Sequence, residues 1–221
     1  MGVEIEDGSW EIGSGGVRSQ WHGLRCLEVV FDEVPSPLLF RWLAQAVAEL
    51  RRSGLADGAV SSYCSLAVYW DALPGTSAEE LVLEKLGSLG SMTAPTDSGA
   101  HLIPARYCGE DLGRVAASSG LSETQVVEVH ARAEYTVAAV GFLPNFGYLW
   151  GLDERLVTPR LSTPRARVPV GALGIGGSQT GIYPQGSPGG WNLIGQVEEK
   201  VCGEVCPELR VGDKVRFEVT G

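Results

Sequence analysis

GFLPNFGYLWGLDERLVTPRLSTPRARVPVGALGIGGSQTGIYPQGSPGGW, residues 141–191, decides the fold. Turn formers punctuate it every few residues: Pro144-Asn145-Phe146-Gly147, Thr158-Pro159-Arg160, Thr163-Pro164-Arg165 and Pro184 to Gly190. Short runs of strand length separate them. From residue 141 to the end the chain holds 15 of its 30 Gly and 7 of its 12 Pro. Such a segment is turn-rich β structure rather than helix. Short strands at close spacing, with two helices inserted upstream, predict a β-barrel.

Working outward, Tyr135 to Leu143 reads as an apolar strand. Before it, Ser122-Glu123-Thr124-Gln125 is a capping box that opens one helix, and Glu110 to Ala117 forms another. Leu102-Ile103-Pro104 starts a strand, and Val211-Gly212-Asp213 is a late turn. Gly87 to Gly99 is rich in Gly, Ser, Thr and Pro and reads as an inter-domain connection. Upstream of it, Leu24 to Phe31 is a strand. Ser36-Pro37 opens a helix carried by Leu39, Leu43, Ala46, Val47 and Leu50 and capped by Gly54, with Arg51 and Arg52 at its negative end. In Tyr63 to Trp70, Cys64, Leu66, Val68 and Trp70 share one face at period two. Ser77-Ala78-Glu79-Glu80 is a second capping box, opening a helix to about Leu86. The expected fold class is therefore α+β: a small N-terminal α/β sandwich, residues 1–90, followed by a β-barrel domain, residues 100–221.

With 44% hydrophobic and 20% charged residues, the chain has material for a real core. Its 17 Lys plus Arg against 27 Asp plus Glu give a net charge of -10, which speaks against a nucleic-acid partner. No run reaches the roughly 18 apolar residues of a membrane helix. The start, Met1-Gly2-Val3-Glu4, lacks an apolar leader, and Glu6 stands where a myristoylation signal needs Ser or Thr. No membrane partner and a cytoplasmic location are expected. Cysteines 26, 64, 108, 202 and 206 read as reduced thiols. Cys202 and Cys206 lack the further ligands of a zinc site, and His22, His101 and His130 have no zincin spacing, so no metal is expected.

Four features could carry chemistry. Gly174 to Gly181 reads either as tight-turn glycines or as an anion cradle in which Gly176 and Gly177 present amides to a phosphate. It lacks the Gly-Lys-Ser/Thr of a Walker loop. Arg155, Arg160, Arg165 and Arg167 form a basic cluster stiffened by Pro159 and Pro164. Arg160 and Arg165 could clamp a carboxylate or phosphate, or make surface ion pairs. Phe142, Phe146, Tyr148, Trp150, Tyr183 and Trp191 gather around turns, as a pocket wall, a partner surface or core. His130 ends a helix, as a catalytic base or as a cap or core residue. Ser187-Pro188-Gly189-Gly190 is not a nucleophile elbow. Of these, Phe142, Phe146, Tyr148, Arg160, Arg165, Gln179 and Tyr183 are the expected substrate-binding set. His130, Arg160 and Arg165 are the catalytic candidates.

Gly141-Phe142-Leu143-Pro144, Tyr148-Leu149, Gly151-Leu152-Asp153, Thr158-Pro159-Arg160, Thr163-Pro164-Arg165 and Gln179-Thr180-Gly181-Ile182-Tyr183-Pro184 form a long, ordered string. With Ser187-Pro188-Gly189-Gly190-Trp191, and Ile103-Pro104, Gly109 to Leu112 and His130 upstream, it resembles the family of 5-oxoprolinase B subunits. That family is also called allophanate hydrolase subunit 1 or the KipI-type carboxyltransferase domain. The resemblance implies that the barrel is cyclophilin-like. It implies a heteromeric complex with a homologous-fold C subunit (KipA-type) and an A subunit, which opens 5-oxo-L-proline to L-glutamate using ATP with magnesium. Related domains face biotin in urea carboxylase, and one relative inhibits a sporulation histidine kinase. A urea- or allophanate-type carboxyltransferase component and a non-catalytic kinase inhibitor are thus the alternatives. A lactam is hydrolytically stable, so ATP coupling makes sense where the amide oxygen is phosphorylated first. Such a site needs donors for phosphoryl oxygens and a carboxylate clamp. The chain carries no ATP motif, which predicts half a pocket completed by the C subunit, and no activity alone. The sequence departs from the family where Asn145 replaces a Gly and Gly147 a Pro, and in its Gly8–Gly23 start with Trp10 and Trp21.

Overall fold

The computed structural model describes residues 16–89, 99–197 and 207–221. The chain divides into two compact units, Met1–Asp97 and Ser98–Gly221. Trp10, Cys202, Cys206 and most of the expected connector lie outside the described residues.

In the first unit, β1 (Val17–Trp21) and β2 (Cys26–Phe31) precede α1 (Pro37–Ser53), followed by β3 (Gly58–Ser62), β4 (Ser65–Tyr69) and α2 (Ala78–Ser88). The strands form an antiparallel sheet in the order β1-β2-β4-β3. Period-two alternation buries Leu27, Val29 and Phe31 on β2 and Leu66 and Val68 on β4, and these pack on Leu39, Trp42, Leu43, Ala46 and Leu50 of α1. Each large apolar side chain among them contributes about 1.5–3 kcal/mol by burial. The α1 signals act as expected. Ser36 Oγ accepts from the Leu39 N–H, Pro37 stands in the first turn, and Gly54 closes the helix at φ 70°. The α2 capping box does not form, because Ser77 makes no side-chain cap bond. Glu79 instead accepts from Ser19 Oγ and from Trp21 Nε1 at 2.7 Å, tying α2 to β1. The strand expected from Tyr63 begins at Ser65, because Tyr63 (φ 45°) and Cys64 form the β3–β4 turn.

The second unit contains β5 (Ala100–Arg106), α3 (Leu112–Ser119), α4 (Glu123–Arg132), β6 (Tyr135–Val140) and β7 (Gly147–Trp150). They are followed by β8 (Arg165–Val168), β9 (Ala172–Gly176), β10 (Gln179–Ile182), β11 (Ser187–Gly189), β12 (Asn192–Val197) and β13 (Lys214–Val219). Strands β6-β13-β5-β12-β9-β10-β7 pair in that order, and β7 returns to β6, closing the expected barrel. The β5–β13 pair is parallel, and β8 and β11 form a separate ribbon. Ile103, Tyr135, Val137, Leu149, Leu173, Ile175, Ile182, Ile194, Val215 and Phe217 belong to its main core, joined by Val115 of α3 and Val126 of α4. Phe146, Val168, Ala172, Tyr183, Trp191 and Leu193 make a second cluster. The Ser122–Gln125 capping box forms in full. The helix expected from Glu110 begins at Leu112, since the Asp111 carboxylate serves other partners. Asn145 adopts φ 66° and holds the turn its family glycine would hold; its amide also bonds Pro207 O and Leu209 N. Among the described residues no helix is long and apolar enough to cross a membrane.

Candidate functional site

The turn after β6, strand β7, the loop before β8 and the end of β10 bring five of the expected ligand residues to one hollow. Phe142, Phe146, Tyr148, Arg160 and Tyr183 line it together with Leu161, Pro164, Pro188, Gly189, Gly190 and Trp191. Its volume is about 290 Å³. The rings meet edge to face: Phe146 lies 5.0 Å from Tyr148, 5.3 Å from Tyr183 and 5.4 Å from Trp191 between centroids. Edge-to-face contacts suit the ring quadrupole, so the wall is stiff as well as apolar. Phe146, Tyr183 and Trp191 are almost fully buried, Tyr148 is half-buried, and Phe142 stands exposed at the lip. Gly189 permits this closeness, for a Cβ there would lie 2.5 Å from the Tyr183 hydroxyl.

Arg160 holds its guanidinium over the Trp191 indole, 5.8 Å from the ring centroid. Burial raises the Tyr148 phenol pKa, and the nearby Arg160 charge pulls the other way. Burial is also the main cause that raises Tyr183, against the Trp191 backbone bond and Arg160. Both phenols therefore stay protonated at neutral pH. Among the described residues that line the hollow there is no carboxylate, imidazole, thiol or amine. These residues can bind and orient a flat ligand, and none of them is poised as a general base.

The other expected site residues lie elsewhere. Arg165 Nε donates to Glu110 at 2.7 Å, and its terminal nitrogens donate to Asp111 at 2.7 Å and to Trp191 O at 3.2 Å. Its guanidinium thus belongs to the frame behind the hollow. Arg155 is bidentate with Asp153, and Arg167 stands exposed on β8. Gln179 begins β10 opposite Gly176 and is not a lining residue. Gly176 and Gly177 take the turn reading over the cradle reading. They belong to the β9–β10 hairpin, where Gly177 (φ 65°) donates its N–H to Thr158 O at 2.8 Å. A Cβ on Gly176 would lie 2.4 Å from the Trp191 indole nitrogen, so this residue is covered.

His130 is a core residue rather than a base at the hollow. It is fully buried, with rings of Tyr107, Tyr135 and Phe217 within 5.1–5.6 Å of its own. Thr180 Oγ1 lies 2.9 Å from Gly174 O, which can only accept. Thr180 therefore donates there and accepts from His130 Nε2–H at 2.9 Å. That leaves His130 Nδ1 to accept from the Tyr107 hydroxyl at 2.8 Å. Burial pushes the His130 pKa down to about 3, so it is neutral. Six lining residues stand outside the expected ligand set, Trp191 and Leu161 among them. Trp191 reads from sequence only as one of the aromatic cluster, and the glycine that lets its indole approach, Gly176, stands in a distant hairpin. Leu161 carries no sequence signal.

Fold and hollow together define a class: an α+β protein whose closed β-barrel carries a small aromatic pocket with one cation. The chain belongs to the family described as carboxyltransferase domain, subdomain C and D, which it matches over residues 17–203. It is similar to a protein of Escherichia coli O157:H7 named as the B subunit of 5-oxoprolinase, with 53% identity over 121 residues, or 52% of this chain and 56% of that one. The aligned stretches cover between 50% and 61% of the curated relatives that bear this name. Among solved structures, TTHA0988 superposes with a TM-score of 0.74 at 36% identity, over 89% of this chain and 40% of that one. Kluyveromyces lactis urea carboxylase superposes with a TM-score of 0.71 at 17% identity, over 94% of this chain and 22% of that one, a likeness of fold alone.

Proposed function

We propose that this chain is the B subunit of an ATP-dependent 5-oxoprolinase. Together with a homologous-fold C subunit and an A subunit it opens 5-oxo-L-proline to L-glutamate in the cytoplasm. The 53% identity to a protein named as the 5-oxoprolinase B subunit carries this reading. The hollow supports it, because its size and flat walls suit a five-membered lactam, and Arg160 suits a carboxylate. Neither the Gly176–Gly177 turn nor the hollow offers a nucleotide cradle among the described residues. The Gly177 amide is engaged, Gly176 is covered by indole, and the hollow has no carboxylate for a magnesium ion. ATP, magnesium and the acid–base groups are therefore assigned to the other two components, and this chain binds and orients substrate.

Co-expression with the A and C subunits, followed by assay of glutamate release from 5-oxoproline, tests the reading. Release is expected only with ATP and all three components, and little or none from this chain alone. Turnover of urea with a biotin carrier, without glutamate release from 5-oxoproline, would move the protein to the carboxyltransferase alternative.

A further inference from the structure

Three polar side chains of the aromatic hollow are Tyr148, Arg160 and Tyr183, and they differ in what they already touch. The Tyr183 phenol is spent on the frame: it packs against Gly189, bonds to the Trp191 backbone and leaves its residue 2% exposed. Tyr148 is half-buried, its ring is 5.0 Å from Phe146 and 5.9 Å from Trp191, and its hydroxyl has no hydrogen-bond partner among the described residues. Arg160 likewise has no carboxylate partner among the described residues, although Arg155 has one and Arg165 has two. Arg160 is exposed, and its guanidinium over the Trp191 indole carries positive charge to the lip of the hollow in a chain of net charge -10.

From this geometry we infer that the Tyr148 hydroxyl and the Arg160 guanidinium form a two-point recognition pair. Its ligand class is a small flat ring bearing both a carboxylate and a ring carbonyl. Arg160 takes the carboxylate, Tyr148 donates to the carbonyl oxygen, and Phe146 and Trp191 hold the ring. The guanidinium can only donate and the phenol can donate or accept, so a ligand must bring an acceptor to Arg160 and a polar group to Tyr148, and the volume near 290 Å³ stands at the low end for ligand pockets. Urea has no charge for Arg160 and is refused. This rests on the 5-oxoprolinase reading for the identity of the ring, but the pair itself rests on the geometry alone.

The test is calorimetric or saturation-transfer binding to the full chain with four probes: 5-oxo-L-proline, 2-pyrrolidinone, cyclopentanecarboxylate and urea. Wild type should bind 5-oxoproline roughly tenfold or more tighter than either single-group ring, and urea not at all. Tyr148→Phe should reduce 5-oxoproline to the level of cyclopentanecarboxylate and leave that probe unchanged. Arg160→Gln should reduce it to the level of 2-pyrrolidinone and leave that probe unchanged. Equal losses for all probes, no loss for any, or no binding to wild type at millimolar concentration overturns the pair. If the crossed pattern appears but a different keto-bearing ring acid binds far better than 5-oxoproline, the pair stands and the 5-oxoprolinase reading falls.

Discussion

Arg160 and Arg165 each follow a proline, five positions apart, yet their fates are opposite. Arg165 is 21% exposed at its side chain and completes a network in which Asp111 also accepts from the Leu193 N–H at 2.7 Å. Removing the guanidinium leaves the Asp111 carboxylate, itself only 11% exposed, short of its countercharge. Arg165→Ala should therefore cost about 2 kcal/mol of stability. Arg160→Ala removes only a cation resting on an indole, so its denaturation midpoint should stay near that of wild type while ligand binding is lost. Equilibrium urea denaturation of both variants checks the contrast. An unchanged midpoint for Arg165→Ala would show that the network is surface decoration.

At the scale of the element, two Ser-led signatures of the same form behave differently. Ser122 caps α4 on Gln125 N–H, and the Gln125 side chain returns to the Ser122 N–H at 2.9 Å. Ser77 makes no such bond at α2, where Glu79 reaches across to Trp21 and Ser19. Ser122→Ala is expected to cost about 1 kcal/mol, and Ser77→Ala only a few tenths. The comparison is read from the shift in denaturation midpoint at constant slope, and similar costs at both positions would contradict it. The difference lies in the backbone: Ser122 is extended (φ -75°, ψ 159°), which carries its hydroxyl to the Gln125 N–H, whereas Ser77 (φ -92°, ψ 4°) is not.

For the whole molecule, the buried His130 links stability to pH. The unfolded chain binds a proton on this imidazole below its ordinary pKa of 6.5, whereas the folded chain resists protonation down to about 3. Protonation therefore favours unfolding. The contribution is fully present above pH 6.5 and is lost as pH falls toward 3, by up to about 1.4 kcal/mol per pH unit. Denaturation curves at about pH 7, 6 and 5 should show this slope for wild type and a shallower one for His130→Gln. Parallel slopes would mean that His130 is not the group responsible.

Much of this protein is legible without coordinates. Ser36-Pro37 and Gly54 bound α1 because caps act within one turn of backbone, and the Gly- and Pro-rich stretch from 141 announces short strands for an equally local reason. The motif string from Gly141 to Trp191 points to the family, and most of the hollow's rings lie in it. Strands β1 and β3 are not legible, because Arg18-Ser19-Gln20 and Val60-Ser61-Ser62 carry little apolar alternation; pairing with β2 and β4 makes them strands. The roles of Arg165, His130 and Tyr148 cannot be read from order along the chain. Arg165 meets Asp111 across 54 positions, and His130 meets Thr180 across 50. A side chain's charge and hydrogen-bonding capacity are set by its own atoms, so sequence supplies them. Whether that capacity is spent on the frame or left for a ligand depends on which distant groups barrel closure brings within about 3 Å, and only the tertiary structure decides that.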